Sequence, residues 1–121
     1  MSHDVNPGGI RFFESAMNKH GAVTECVEVS SQFYRIERKK GGTLYVYLTG
    51  MYVVGSMDYY EIHRDYPLLT TIVLAGQWQN IAPDAKDEAA KRQVGVFKVK
   101  GFMGCLNRRD HWKFDGPSTI D

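Results

Sequence analysis

Gly41-Gly42-Thr43-Leu44-Tyr45-Val46-Tyr47-Leu48-Thr49-Gly50 is the stretch on which the reading of the fold turns. Two glycines supply a tight turn, the run after them is rich in β-formers, and Gly50 closes it. The segment before it, Gln32 to Lys40, also reads as a strand through Phe33, Tyr34 and Ile36. The double glycine therefore joins a hairpin.

Upstream, Asn6 followed by Pro7 suggests a cap and first helical turn. Ile10, Phe13 and Met17 recur at helical spacing, with Phe12 and Ala16 beside them, and His20-Gly21 is a stop signal. This predicts a helix over Gly8 to Lys19. Ala22 to Ser30 alternates Val23, Val27 and Val29 with Thr24, Glu25 and Glu28, and Cys26 falls out of phase. It reads as a strand with one irregularity, followed by a bend at Ser30-Ser31. Three strands then make an antiparallel meander.

Downstream, Gly55-Ser56 starts a helix, with Ser56 as cap and Asp58 in the positive first turn. Tyr59, Ile62, His63 and Tyr66 share one face, and Pro67 ends it. Leu68 to Ala75 is nearly all apolar and β-branched, the pattern of a strand covered on both faces. Pro83 opens a helix with Asp84, Asp87 and Glu88 early and Lys91 and Arg92 late. Its inward residues are mostly alanine, which lets it lie close on a sheet. Val94 to Val99 is the last strand and Gly101 to Leu106 a short helix. The order α-β-β-β-α-β-α-β-α predicts a three-layer α/β/α domain with a mixed sheet of about five strands.

With 121 residues the chain is long enough for one domain, 1–121, with a real core. Residues 1–8 and 110–121 are expected as loose tails. A formal net charge of +1 exerts no global pull on nucleic acid or membrane, so such binding has to come from local patches. Cys26 and Cys105 stand far apart without metal-ligand spacing, so reduced thiols and a cytoplasmic location are expected. His20, His63 and His111 have no ligand spacing either. No window approaches the ~18 apolar residues of a spanning helix, so no membrane partner is expected. GxSxG, P-loop and GxGxxG motifs do not occur, which leaves hydrolase, NTPase and dinucleotide readings without support.

The element order resembles the restriction-endonuclease-like fold of the PD-(D/E)XK nucleases and Holliday-junction resolvases. The resemblance spans Gly9 to Asn107. It rests on the order itself, the Phe13-Glu14 pair in the first helix and the hairpin from Phe33 to Thr49. Val96-Phe97-Lys98-Val99-Lys100-Gly101-Phe102-Met103 is similar to the closing strand and helix start of such domains. In that family an Asp at the start of the second strand, and a Glu two residues before a Lys on the third, hold Mg²⁺ or Mn²⁺. The metal activates water and stabilises charge on phosphate. The matching positions fall near Tyr34 and on Tyr47 and Thr49, none of which replaces a carboxylate. Glu14 alone matches a residue type that some members use, and no Asp or Glu occurs between Thr43 and Met57. The resemblance thus implies a nuclease-like domain without the usual metal site or cofactor.

Candidate binding residues lie elsewhere. Arg35, Arg38, Lys39 and Lys40 form a basic run at the hairpin. It either neutralises phosphates or is a solvated tip that discourages edge pairing. Arg108, Arg109, His111, Trp112 and Lys113 form a second run, with Trp112 either stacking on bases or anchoring the tail. Gln77 and Trp78 follow the most buried strand, at the end where open α/β sheets place ligand crevices. Among the seven tyrosines, Tyr45, Tyr47, Tyr52, Tyr59 and Tyr60 either form a flat aromatic contact surface or share a mixed core. Three readings of function follow. One is a non-enzymatic module binding nucleic acid weakly and without sequence preference, or assembling with a protein or a second copy. Another is an active nuclease whose ligands have migrated to Glu14, Glu28, Glu37 or Asp58. The third is an unrelated α/β protein-interaction domain.

Overall fold

The first helix shows how local chemistry sets the frame. In the structure, a computed structural model that describes residues 4–51, 53–76 and 80–113, Asn6 caps α1 (Pro7–Lys19). Its Oδ1 accepts from the Gly8 and Gly9 amides at 2.8 and 3.4 Å, satisfying two donors that a helix start leaves open. Residues 7 and 8, expected in the tail, are thus the first turn of the helix, and Val5 packs against the core. Phe13 and Met17 are fully buried, whereas Phe12 is 60% exposed.

The meander forms as read: β1 (Val23–Ser30), β2 (Phe33–Arg38) and β3 (Thr43–Thr49) pair antiparallel in sequence order. β1 carries two register shifts, at Val23/Glu25 and Glu28/Ser30, one more than the sequence pattern suggests. Its turn into β2 rests on Gln32 at φ 62°, whose side-chain amide donates to the Leu48 carbonyl at 2.9 Å. Gly41 and Gly42 take φ values of 92° and 78°. Only glycine adopts such angles freely, which is why the pair marks the hairpin.

Beyond β3 the chain adds two short strands that the sequence does not announce. β4 (Val53–Val54) and β6 (Asn80–Ile81) form a separate parallel ladder. The cap of α2 (Ser56–Asp65) is Gly55 rather than Ser56, and the Gly55 amide donates to Asp58 at 2.8 Å. β5 (Thr71–Leu74) is shorter than the Leu68–Ala75 run. Leu68 is 63% exposed in the turn after Pro67. The Thr70 hydroxyl takes the Tyr45 amide at 2.9 Å and donates to the Tyr45 carbonyl at 3.1 Å. α3 (Pro83–Lys91) lays Ala85 and Ala89 on the sheet, both fully buried. β7 (Gly95–Lys98) runs directly into α4 (Val99–Cys105), and His111–Lys113 form a 3₁₀ turn.

The main sheet has the order β1-β2-β3-β5-β7, antiparallel through β3 and parallel from there on. Alternation divides its side chains between two cores. Tyr34, Ile36, Val46 and Leu48 face α1 and α4, with Phe13 and Phe102. Phe33, Tyr47, Ile72 and Leu74 face α2 and α3, with Tyr59 and Ile62. The result is a three-layer α/β/α arrangement around a mixed sheet of five strands. β5 lies between β3 and β7, covered on both faces, which explains its continuous apolar run.

Gly50 ends β3 under the N-terminal segment, and a Cβ there would run into the Asp4 carbonyl oxygen. Gly50→Ala must push residues 4–6 outward and disturb the α1 cap. We expect a cost of about 1–3 kcal/mol, the range for inserting an extra carbon into a packed site, read as a lower urea midpoint. Gly21→Ala, where an added Cβ meets nothing within 4 Å, should leave the midpoint nearly unchanged.

Candidate functional site

The carboxylate that the family resemblance singled out is already engaged. Tyr34 on β2 donates its hydroxyl to Glu14 Oε2 at 2.8 Å. Burial, the bond to Glu14 and nearby negative charge push the Tyr34 phenol far above its usual range. Burial and then Glu14 push the neighbouring Cys26 thiol up to about 11. Groups that would bind a cation as anions are thereby kept neutral. Tyr47 does not join them. It lies on the other face of the sheet, its ring 5.1 Å from that of Tyr66. The β3 residues on the face of Glu14 and Tyr34 are Val46 and Leu48, both buried and apolar, so a one-residue shift in alignment restores no ligand.

The other acidic candidates do not converge. Glu28 accepts the Gln32 amide at 3.1 Å. Glu37 accepts from Thr43 at 2.5 Å and from Arg35 at 2.6 Å, and these bonds hold its carboxyl below the ordinary range. Asp58 is spent on the start of α2. Among the described residues no group of three or more His, Cys, Asp and Glu side chains could hold a metal ion. The described residues do not fit a hard divalent cation, which takes several oxygen ligands at one point.

The basic residues divide sharply by environment. Arg35 is half-buried and pairs with Glu25 at 3.2 Å and Glu37 at 2.6 Å. Arg38 is only 8% exposed, contrary to its expected place on a solvated tip. Its guanidinium donates to the carbonyls of Gly42 at 3.1 Å, Gly41 at 2.5 Å and Arg108 at 2.6 Å, with Leu106 at 3.5 Å. One planar fork thus ties the hairpin loop to a segment 70 residues away. Lys39 and Lys40 follow Arg38 on the exposed loop, and Arg108 and Arg109 lie exposed on the segment it holds. The Arg108 Nε is 3.9 Å from Asp110 Oδ1. The two basic runs are therefore joined at their bases by a residue that itself faces inward.

Past this junction, His111 is buried, Trp112 half-buried and Lys113 exposed. The Trp112 ring meets His111 edge-on, with centroids 5.5 Å apart at 88°. Its backbone closes over Gly95, where a Cβ would lie 3.2 Å from the Trp112 Cα. Trp112 therefore packs this stretch against β7. Gln77 and Trp78 lie outside the described residues, as does Tyr52 of the suggested aromatic surface. Of the other tyrosines in that group, Tyr47 and Tyr59 are core, and Tyr60 donates to Glu88 at 2.8 Å. No described helix is long and apolar enough to cross a membrane.

Sequence reading missed the inward role of Arg38 and the docking role of His111. Both partners lie far along the chain, and no local signal marks them. No protein-family model, no curated protein and no solved structure matches the chain.

Proposed function

We propose that the protein is a nuclease-like domain without a metal site, and that it contacts the phosphate backbone of nucleic acid through Lys39, Lys40, Arg108 and Arg109. The observation that carries this reading is the Arg38 bridge from the hairpin loop to the Arg108 carbonyl, which sets two exposed basic runs side by side. With a net charge of only +1 on the whole chain, binding to phosphate has to draw on such a local concentration of charge. Trp112, the described candidate for stacking on bases, packs against β7 instead, so the contacts are expected to position a backbone rather than read a sequence.

The test is fluorescence anisotropy with labelled duplex and single strands at two salt concentrations. Affinity is expected to fall with salt at a log–log slope of about −0.9 per phosphate contact on duplex, with few contacts in all. Replacing Lys39, Lys40, Arg108 and Arg109 together by Ala should flatten that slope without disturbing the fold, because Arg38 grips the backbone of residue 108 and not its side chain. Absence of binding at low salt, or binding unchanged in the fourfold variant, removes the nucleic-acid reading. A protein-partner module would then be the surviving account.

A further inference from the structure

His111 follows an exposed basic run, yet it is only 4% exposed itself. One hydrogen bond holds its ring: Nε2–H donates to the Thr70 carbonyl at 2.8 Å. The same carbonyl accepts the Gly95 amide at 3.1 Å, so the ring sits where β5 and β7 begin. The other ring nitrogen, Nδ1, is buried with no hydrogen-bond partner among the described residues. A bare lone pair costs little in such a place. A second N–H carrying positive charge costs much more, because it is buried from solvent and meets no acceptor among the described residues.

The charged groups acting on the ring are Arg38, from the end of β2, and Asp110, from its own segment. Thr70 meets the ring from the sheet with its backbone carbonyl, which carries no charge. Arg38 spends its donors on carbonyls and makes no ion pair among the described residues. Its charge is therefore not cancelled beside the imidazole. Asp110 is half-exposed and within 3.9 Å of Arg108, so it offsets this only in part.

We propose that His111 is an acid-sensitive latch, whose protonation ejects the His111–Lys113 turn from the sheet and loosens the segment that carries the second basic run. Burial, helped by Arg38, outweighs the bond to the Thr70 carbonyl and the Asp110 charge and holds the docked ring below the ordinary imidazole range. Above about pH 6.5 docked and released rings are both neutral, and docking has its full strength. Below that the released ring takes up a proton that the docked one refuses, so docking weakens until the docked ring itself titrates. Acidification adds positive charge, yet it is expected to weaken phosphate binding by parting the two runs. That last consequence rests on the function proposed above; the release does not.

Hydrogen exchange read by mass spectrometry at about pH 7.5 and about pH 5.5, on either side of the imidazole range, separates the two. After correction for intrinsic exchange, protection in peptides covering residues 106–113 should drop by up to about tenfold per pH unit, while β3 and β5 hold. His111→Gln retains a donor for Thr70 without titrating and should abolish the pH dependence. If that variant leaves the turn open at both pH values, the wild-type pattern decides. Loss confined to 106–113 supports the latch; loss spread evenly over the sheet, or no loss, overturns it. Local release without any phosphate binding would overturn only the proposed function.

Discussion

Arg38→Ala is expected to destabilise the protein by about 2–4 kcal/mol, on the scale of losing more than one hydrogen bond to a charged group from a buried site. The guanidinium is the donor for carbonyls on both the loop and the 106–108 segment. Without it those oxygens turn to water or stay unpaired, and the loop loses its tie to the C-terminal stretch. Two factors bound the loss. The loop carbonyls at Gly41 and Gly42 reach solvent easily. No carboxylate is left stranded either, so the larger penalty of an orphaned buried charge does not arise. Arg38→Lys should recover only part, because an ammonium cannot span the same carbonyls with a planar fork. Urea unfolding measures the first effect. Anisotropy on the folded variant measures a second: phosphate binding should weaken although Lys39, Lys40, Arg108 and Arg109 all remain. A drop in stability below about 0.5 kcal/mol, the scale of an ordinary surface change, would mean that the bridge contributes little.

Arg38 also shows where a sequence stops being informative. The hairpin, the first helix and the buried strand β5 are legible because their signals are local: a double glycine, apolar residues at helical spacing, an unbroken β-branched run. The layer architecture then follows from element order. Arg38 stands among Lys39 and Lys40 with the look of a solvated tip, and its partner carbonyls lie up to 70 residues away. His111 is hidden for the same reason, since Thr70 is 41 residues off. The absence of acidic residues between Thr43 and Met57 was readable directly. That Tyr34 and Tyr47 sit on opposite faces required the register, because adjacent cross-strand pairs alternate sides. Leu68 and Thr70 look like strand residues by composition, yet Pro67 before them and the Thr70 side-chain bonds to Tyr45 delay the strand to Thr71.

Phe13→Ala is expected to cost about 3–5 kcal/mol, the range for removing a buried phenyl ring. Its immediate neighbour, Phe12→Ala, should cost less than about 0.5 kcal/mol. The contrast follows from the helix period alone. Phe13 points to the sheet and is fully buried, whereas Phe12 is 60% exposed. Phe13 sits where three elements meet. Its ring is 5.1 Å from that of Tyr34 on β2 and 6.2 Å from that of Phe102 on α4. Truncation leaves a void between α1, the sheet and α4 that the rigid strands cannot close, so both the transfer and the cavity contributions apply. It also removes the wall that positions Tyr34 against Glu14, so the Tyr34–Glu14 hydrogen bond of 2.8 Å should loosen with it. Equilibrium urea unfolding of both variants provides the measurement, and the comparison is internal to one turn of one helix. Equal losses in the two would mean that α1 does not dock on the sheet through Phe13, and would undo the placement of Glu14 beside Tyr34.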